Sequence, residues 1–259
     1  MSSVLMNIII GLVTSIISGA GVWLWQLTRR THLTRRREMF FGIYPGETVL
    51  IVMNNRYDKA GATSHRDVHS MIKLASLASS SGASIRIESC NDFHEINGDR
   101  TEFCIGGPQS NPRTAAYMAA NLPGVTMRPS DAAGTYPSTI VVADGREFAR
   151  KRGDEEYALV AKFVPLASSR PVILISGQSS VANLAAVEFL IRDYRKLSRN
   201  LSSTRQFCMV VRSSSIEAFG HGSSELADDI SEVAFTDSRL TLNRKQEELP
   251  DSRETSLGQ

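Results

Sequence analysis

The sequence has few of the residues that hold small secreted or zinc-bound domains together. Its 259 residues include three cysteines, Cys90, Cys104 and Cys208, which stand far apart and form no CxxC pair. This spacing argues against both a disulfide framework and a zinc finger. The charge balance of 29 basic and 27 acidic residues leaves a net charge of +2. Such a small excess argues against nucleic-acid binding, which needs concentrated positive charge.

Several catalytic and phosphate-binding motifs are also missing. The dinucleotide motif GxGxxG is absent because Pro108 follows Gly106 and Gly107, and the P-loop motif GxxxxGK[ST] does not occur. The serine-hydrolase motif GxSxG is absent as well, so Ser179 is not predicted to be a nucleophile. His65 and His69 have the spacing of HExxH, but Arg66 stands where that motif needs glutamate. These absences exclude the best-marked enzyme classes.

The first forty residues have a pattern of their own. Residues 4–26 carry no charged side chain, two tryptophans lie near the end of that stretch, and five arginines follow between residues 29 and 37. This order predicts a transmembrane helix over residues 1–27, in contact with membrane lipid, and a basic juxtamembrane linker over 28–44. The arginine bias predicts a single-pass inner-membrane protein with its N-terminus outside. A cleaved secretory signal is the alternative, but its positive charge precedes the apolar core.

Small residues recur within the predicted span. Gly11, Ser15 and Gly19 are spaced at i, i+4 and i+8, which allows two helices to approach closely. A homo-oligomer through this stripe is a hypothesis.

From residue 45 onward, short apolar runs alternate with helical periodicity. The alternation predicts a cytosolic Rossmann-like α/β domain over 45–236, with a mainly parallel sheet and flanking helices. Strands without clear helices between Val125 and Val164 predict an antiparallel excursion in that part of the chain. The polar residues 237–259 have no aromatic side chain and predict a disordered tail.

Two segments, 104–116 and 174–186, resemble each other at an offset of 70 residues. Each has an apolar strand, a loop rich in glycine and serine, and a helix with an Ala–Ala pair. Because open α/β sheets bind ligands at the carboxyl ends of their strands, both loops are candidates for phosphate or nucleotide contact. The predicted ligand-binding residues are Asn54, Asn55, Gly106, Gly107, Ser110, Asn111, Gly177, Ser179 and Ser180. The competing interpretation is that both loops are ordinary strand-to-helix turns.

The run FCIGGPQSNPRTAAYM, together with VLIVMNN before it and ILISGQSSVANLAAVEFL after it, resembles a known group of sequences. The group consists of bacterial and archaeal Rossmann-like domains with an IGGPxxN strand-loop-helix and no assigned activity. The resemblance extends from about Thr48 to Arg212. It implies the fold and a ligand-binding edge, and it implies no catalytic residue.

The function favoured by these patterns is a membrane-anchored sensor or effector module, in signalling or defence, that binds a nucleotide-type ligand. An alternative is an enzyme of the N-glycosidase or transferase type acting on a nucleotide or nucleotide-sugar. Its weak candidates for the working carboxylate are Asp67, Glu88 and Asp92. The residues predict no metal site and identify no cofactor beyond that nucleotide. A third possibility is a structural anchor that recruits protein partners.

Overall fold

The computed structural model describes residues 2–55, 62–92, 95, 97–131, 135–166 and 168–236. Within the first helix it describes the side chains of residues 3, 6, 11, 12, 14–26 and 34–41. The predicted tail over 237–259 lies outside the described residues.

The described chain contains helices and strands in an α/β arrangement. The helices are α1 (Ser2–Phe41), α2 (His65–Ser80), α3 (Pro112–Asn121), α4 (Ser180–Asn200), α5 (Ile216–Phe219) and α6 (Ser231–Ala234). The strands are β1 (Thr48–Met53), β2 (Ser84–Ser89), β3 (Thr101–Ile105), β4 (Val125–Arg128), β5 (Thr139–Val142), β6 (Glu147–Ala149), β7 (Glu155–Phe163), β8 (Val172–Gly177), β9 (Phe207–Ser214) and β10 (Ser224–Asp229).

A seven-stranded mixed sheet forms the centre of the fold, in the order β10-β9-β7-β8-β3-β1-β2. The strands β2, β1, β3 and β8 are parallel neighbours, while β7 runs antiparallel to both β8 and β9, and β10 antiparallel to β9. A separate antiparallel sheet contains β4, β5 and β6. The antiparallel excursion predicted between residues 125 and 164 is therefore confirmed, and the fold is mixed α/β. The sheet predicted as mainly parallel instead has three parallel and three antiparallel strand pairings.

Apolar side chains fill both faces of the central sheet. Along β1, Val49, Ile51 and Met53 contribute to one core, and Leu50 and Val52 contribute to the other. The first core lies beneath α2, α4 and the end of α1, whereas the second lies beneath α3 and the three-stranded sheet. This explains why β1 has a continuous apolar sequence instead of an alternating one.

The predicted transmembrane helix is wrong. Among the described residues, no helix is both long enough and apolar enough to cross a bilayer. The prediction treated the absence of charge as apolarity, although small and hydroxyl residues bury little apolar surface. Seven described positions between residues 11 and 26 are of this kind: Gly11, Thr14, Ser15, Ser18, Gly19, Ala20 and Gly21. The single-pass topology and the inner-membrane localisation depended on that helix and are corrected with it.

The segment predicted as a basic linker continues α1 and ends in the core. Phe40 and Phe41 are fully buried, and Phe40 stacks on Phe207 with ring centroids 5.4 Å apart. Gly11, Ser15 and Gly19 are exposed, and a Cβ on either glycine would meet no atom of the described residues within 4 Å. Self-association through that stripe stays a prediction.

A buried lysine holds the carboxyl end of α1. Lys162 on β7 is 3 % exposed, and its Nζ donates hydrogen bonds to the carbonyl oxygens of Met39, Phe40 and Thr204 at 2.7, 2.9 and 2.7 Å. Burial lowers the pKa of Lys162 to about 8, so the ammonium is still mostly charged at neutral pH. A cation suits the negative end of a helix dipole, and three acceptors satisfy its three N–H groups.

We expect Lys162→Met to lower the free energy of unfolding by about 2 kcal/mol, because three backbone carbonyls lose their charged donor. Lys196→Met is the matched control, since Lys196 is exposed on α4, and we expect it to change stability by less than about 0.5 kcal/mol. Denaturant unfolding of the full chain measures both. Equal stability of the two variants would show that the lysine does not anchor α1.

Candidate functional site

The candidate site lies where β1, β3 and β8 end, at the carboxyl edge of the parallel part of the sheet. The chain leaves β1 towards α2 and leaves β8 towards α4 on one face, but it leaves β3 towards α3 on the other face. Loops that diverge in this way open a crevice, and ligands of open α/β sheets bind in such crevices. The echo segments meet here, because Ile105 pairs with Ile175 across β3 and β8.

Four polar side chains meet at this edge, and we refer to Asn54, Asp67, Ser110 and Asn183 as the Asp67 cluster. The two oxygens of Asp67 each accept a hydrogen bond, from Asn183 Nδ2 at 2.8 Å and from Asn54 Nδ2 at 3.2 Å. Asn54 Nδ2 also lies 3.4 Å from Ser110 Oγ. Asn183 Oδ1 accepts from the backbone N–H of Gly177 at 2.7 Å. One carboxylate thereby connects α2, α4 and the loops after all three strands.

The electrostatics of the cluster are set by burial. Asp67 is 2 % exposed, and desolvation raises its pKa above the ordinary 3.8, although the hydrogen bonds from Asn183 and Asn54 oppose that shift. The hydrogen-bond partners of Asp67 within the described residues are neutral amides, and no cation among those residues pairs with it. A carboxylate held in this way retains a strong tendency to accept further hydrogen bonds or a proton.

Asn54 has an acceptor that the described residues leave unused. Its side chain is 7 % exposed, and its Oδ1 is buried with no hydrogen-bond partner among the described residues. Buried polar atoms nearly always form a hydrogen bond, so this oxygen is expected to accept one from a donor. Gly106 packs directly against the same side chain, since a Cβ on Gly106 would lie 2.4 Å from the Asn54 Cβ. Gly106 also has a φ of +106°, and both features require glycine.

The first helix N-terminus at the site has already used its N–H groups. Asn111 caps α3, and its Oδ1 accepts from the backbone N–H groups of Arg113 and Thr114 at 3.0 and 3.4 Å. Pro112 has no N–H, and Asn111 N donates to the Gly107 carbonyl at 3.0 Å. The predicted phosphate contact at this helix is therefore not supported.

The N-terminus of α4 is also capped, and a carboxylate lies beside it. Ser179 Oγ accepts from the N–H groups of Val181 and Ala182 at 3.1 and 3.2 Å and is hydrogen-bonded to the carboxylate of Glu156. Glu156 is 2 % exposed and pairs with Arg150 Nε at 2.8 Å. A buried negative group at a helix N-terminus occupies the place that an anionic ligand would take.

The remaining predicted residues divide into two sets. Asn55 lies beside the cluster, where its N–H donates to the Ser110 carbonyl at 3.1 Å, and Ser180 follows the cap of α4. Glu88 on the edge strand β2 instead pairs with Arg86 at 2.6 Å, and Asp92 is exposed in the following turn. No hydrogen bond within the described part of the chain joins Glu88 or Asp92 to the Asp67 cluster.

The sequence analysis missed Asn183 and Glu156. Asn183 is 2 % exposed and lies on the buried face of α4, among Ala182, Leu184 and Ala185. A single amide within an otherwise apolar helical face was the available signal, because such a group needs a buried partner. Ser64 caps α2 by accepting from Arg66 N at 3.3 Å, while Asp67 turns towards the two amides.

Comparison with known proteins finds no relative from which the site could be identified. No family model, no curated protein and no solved structure matches the chain.

We expect Asp67→Asn to stabilise the chain at neutral pH. Because the pKa of Asp67 is raised in the folded state, the folded chain binds more protons than the unfolded chain above pH 3.8. The wild type therefore loses stability as the pH rises through that window, by about 1.4 kcal/mol for each unit of pKa shift, whereas the variant does not.

Urea unfolding of both proteins at a series of pH values from 3 to 8 measures this difference. Asp92→Asn removes an exposed carboxylate and is the control. A stability difference between wild type and Asp67→Asn that stays constant with pH would contradict the argument.

Gly106→Ala tests the close approach of β3 to Asn54. We expect a loss of about 3 kcal/mol, from backbone strain together with the clash against the Asn54 side chain. Gly145→Ala separates the two causes, because Gly145 has a similar φ of +96° and no atom within 4 Å of its built Cβ. We expect about 1 kcal/mol for that variant in the same unfolding experiment. Equal losses would mean that strain alone accounts for the effect.

Proposed function

We propose that this chain is a small-molecule-binding module whose Asp67 cluster recognises a neutral, hydroxyl-bearing group such as the ribose of a nucleoside. The observation that carries the proposal is the buried Asn54 Oδ1, which has no donor among the described residues, beside the Asp67 carboxylate, whose described partners are neutral amides. Both groups accept hydrogen bonds, and both lie at the edge where α/β sheets bind ligands. A ligand that donates hydrogen bonds from hydroxyl or amino groups complements them.

The hydrogen bonds around the cluster favour the nucleoside part of a nucleotide over its phosphate. The N–H groups of Arg113, Thr114, Val181 and Ala182 are occupied by the caps, and the carboxylate of Glu156, paired with Arg150, lies beside Ser179. Oxyanions need free N–H groups or cations. Rossmann-type sites place an acidic side chain on the ribose hydroxyls, which is the role that we assign to Asp67.

A thermal-shift panel on the full chain tests the proposal. We expect adenosine or uridine to raise the melting temperature at least as much as the corresponding monophosphate does. At a hundredfold excess over the dissociation constant, a ligand specific for the folded state adds about 2.7 kcal/mol of stability. We expect Asn54→Ala and Asp67→Asn to abolish the shift.

Asn121→Ala is the matched control, because Asn121 lies at the end of α3 and its Nδ2 donates only to the Tyr117 carbonyl at 3.1 Å. It removes an amide of the same size outside the cluster and should keep the full shift. A panel in which only phosphorylated compounds bind, or in which Asn54→Ala binds as well as wild type, would overturn the proposal. No shift with any compound would favour the protein-recruiting alternative.

A second candidate is cleavage of a glycosidic bond, favoured by the raised pKa of Asp67. A carboxyl group that stays protonated at higher pH can donate a proton to a leaving group. Chromatography of each binding nucleoside or nucleotide-sugar after incubation distinguishes the two functions. A released base or sugar that disappears with Asp67→Asn would establish the enzyme, whereas an unchanged ligand supports the binding module.

A further inference from the structure

A groove separate from the Asp67 cluster lies between the end of α1, the second half of α2 and the middle of α4. Its volume is about 460 Å³, and its polar lining consists of Arg37, Lys73, Ser76, Ser80, Glu188 and Arg192. Ser76 is nine residues after Asp67 on α2, which is about 14 Å along the helix axis. The groove therefore offers a second site with its own chemistry.

The lining of this groove includes three cations from three helices, Arg37, Lys73 and Arg192, and one carboxylate, Glu188. Lys73 Nζ pairs with Glu188 Oε1 at 2.8 Å, and His221 Nε2 lies 3.4 Å from the same oxygen. Arg192 Nη2 donates to the Ser224 carbonyl at 2.6 Å, which fixes its guanidinium at the side of the groove. Arg192 Nη2 also pairs with Asp193 Oδ2 at 2.7 Å, just outside the lining, so Arg37 is the cation of the lining that has no carboxylate partner among the described residues.

Arg37 has a hydrogen-bond donor that the described residues leave unused. Its Nη2 donates to the Ser80 carbonyl at 2.7 Å, which holds the guanidinium against the end of α2. Its Nε is buried and has no acceptor among the described residues. An unpaired N–H on a guanidinium is costly, and an oxyanion is the acceptor that matches it best.

We propose that this groove binds a phosphate group, held by Arg37 and Arg192 with a hydrogen bond from the Ser76 hydroxyl. Arginines on two different elements converge on the groove, and planar guanidinium groups suit phosphate oxygens. The groove has cations in its lining, whereas the described residues that contact Asp67 include none. This site does not depend on the function proposed for the cluster, so either proposal can fail alone.

The lining also predicts a variant that binds phosphate more tightly. Glu188 repels an anion and engages Lys73, so Glu188→Gln removes a negative charge and releases a cation for the ligand. We expect Glu188→Gln to bind inorganic pyrophosphate at least threefold more tightly than wild type does. We expect Arg37→Gln and Arg192→Gln each to bind it at least tenfold more weakly.

Isothermal titration of the full chain with inorganic pyrophosphate at constant ionic strength measures these affinities. Arg195→Gln is the control for net charge, because Arg195 is exposed on α4, outside the groove lining, where its guanidinium lies over the Tyr194 ring. Circular dichroism shows whether each variant is folded, and the tighter binding of Glu188→Gln cannot result from misfolding.

Unchanged affinity in Arg195→Gln, with weaker binding in Arg37→Gln and Arg192→Gln, would support the site. Equal weakening in all three arginine variants would show general charge attraction and overturn it. An absence of binding by wild type, or a Glu188→Gln variant no tighter than wild type, would overturn it as well.

Discussion

The burial of Asp67 is the constraint on which the carboxyl edge of the sheet depends. A carboxylate removed from water is strongly destabilising unless hydrogen bonds replace its hydration. Asn183 and Asn54 supply those bonds, and Asn183 in turn holds the N–H of Gly177. Moving α2, α4 or the end of β1 would leave the carboxylate without a donor. The relative positions of these elements are therefore tied to a single side chain.

An apolar residue in place of Asp67 would hold the same helices together with less cost. A polar cluster that lowers stability and lies at the ligand-binding edge is characteristic of sites kept for function. The same argument explains the contrast between the two candidate sites. Among the described residues, the Asp67 cluster has an unused acceptor, Asn54 Oδ1, and the α1–α2–α4 groove has an unused donor, Arg37 Nε, so the two suit ligand groups of opposite character.

Local signals predicted much of the fold. The apolar run in β1 and the succession of strands between Val125 and Val164 follow from short-range sequence patterns. The place of β7 in the sheet and the existence of β10 did not follow. An antiparallel strand has the same local pattern as a parallel one, and the polar edge strand β10 buries little apolar surface.

The sequence predicted where the site lies in the sheet better than which side chains form it. Asn54, Ser110 and Gly177 lie where strand-end reasoning places them, but Asn183 was missed because its partner is 116 residues away. The phosphate contact predicted for the two loops stays a prediction, and one feature of the structure counts against it. Asn111 and Ser179, which indicate a helix N-terminus in the sequence, also consume the N–H groups that a phosphate would need.

The attachment of α1 has a mechanical consequence. The helix has 40 residues and is therefore about 60 Å long. Its described contacts with the core are made by its last few residues, where Lys162 Nζ donates hydrogen bonds to two carbonyl oxygens. A long helix that is attached at one end turns about that attachment. Tilting it by a single degree at that pivot displaces the far end by about 1 Å. Small rearrangements of β7 would thus be amplified along the helix into movements large enough to be measured between two attached probes.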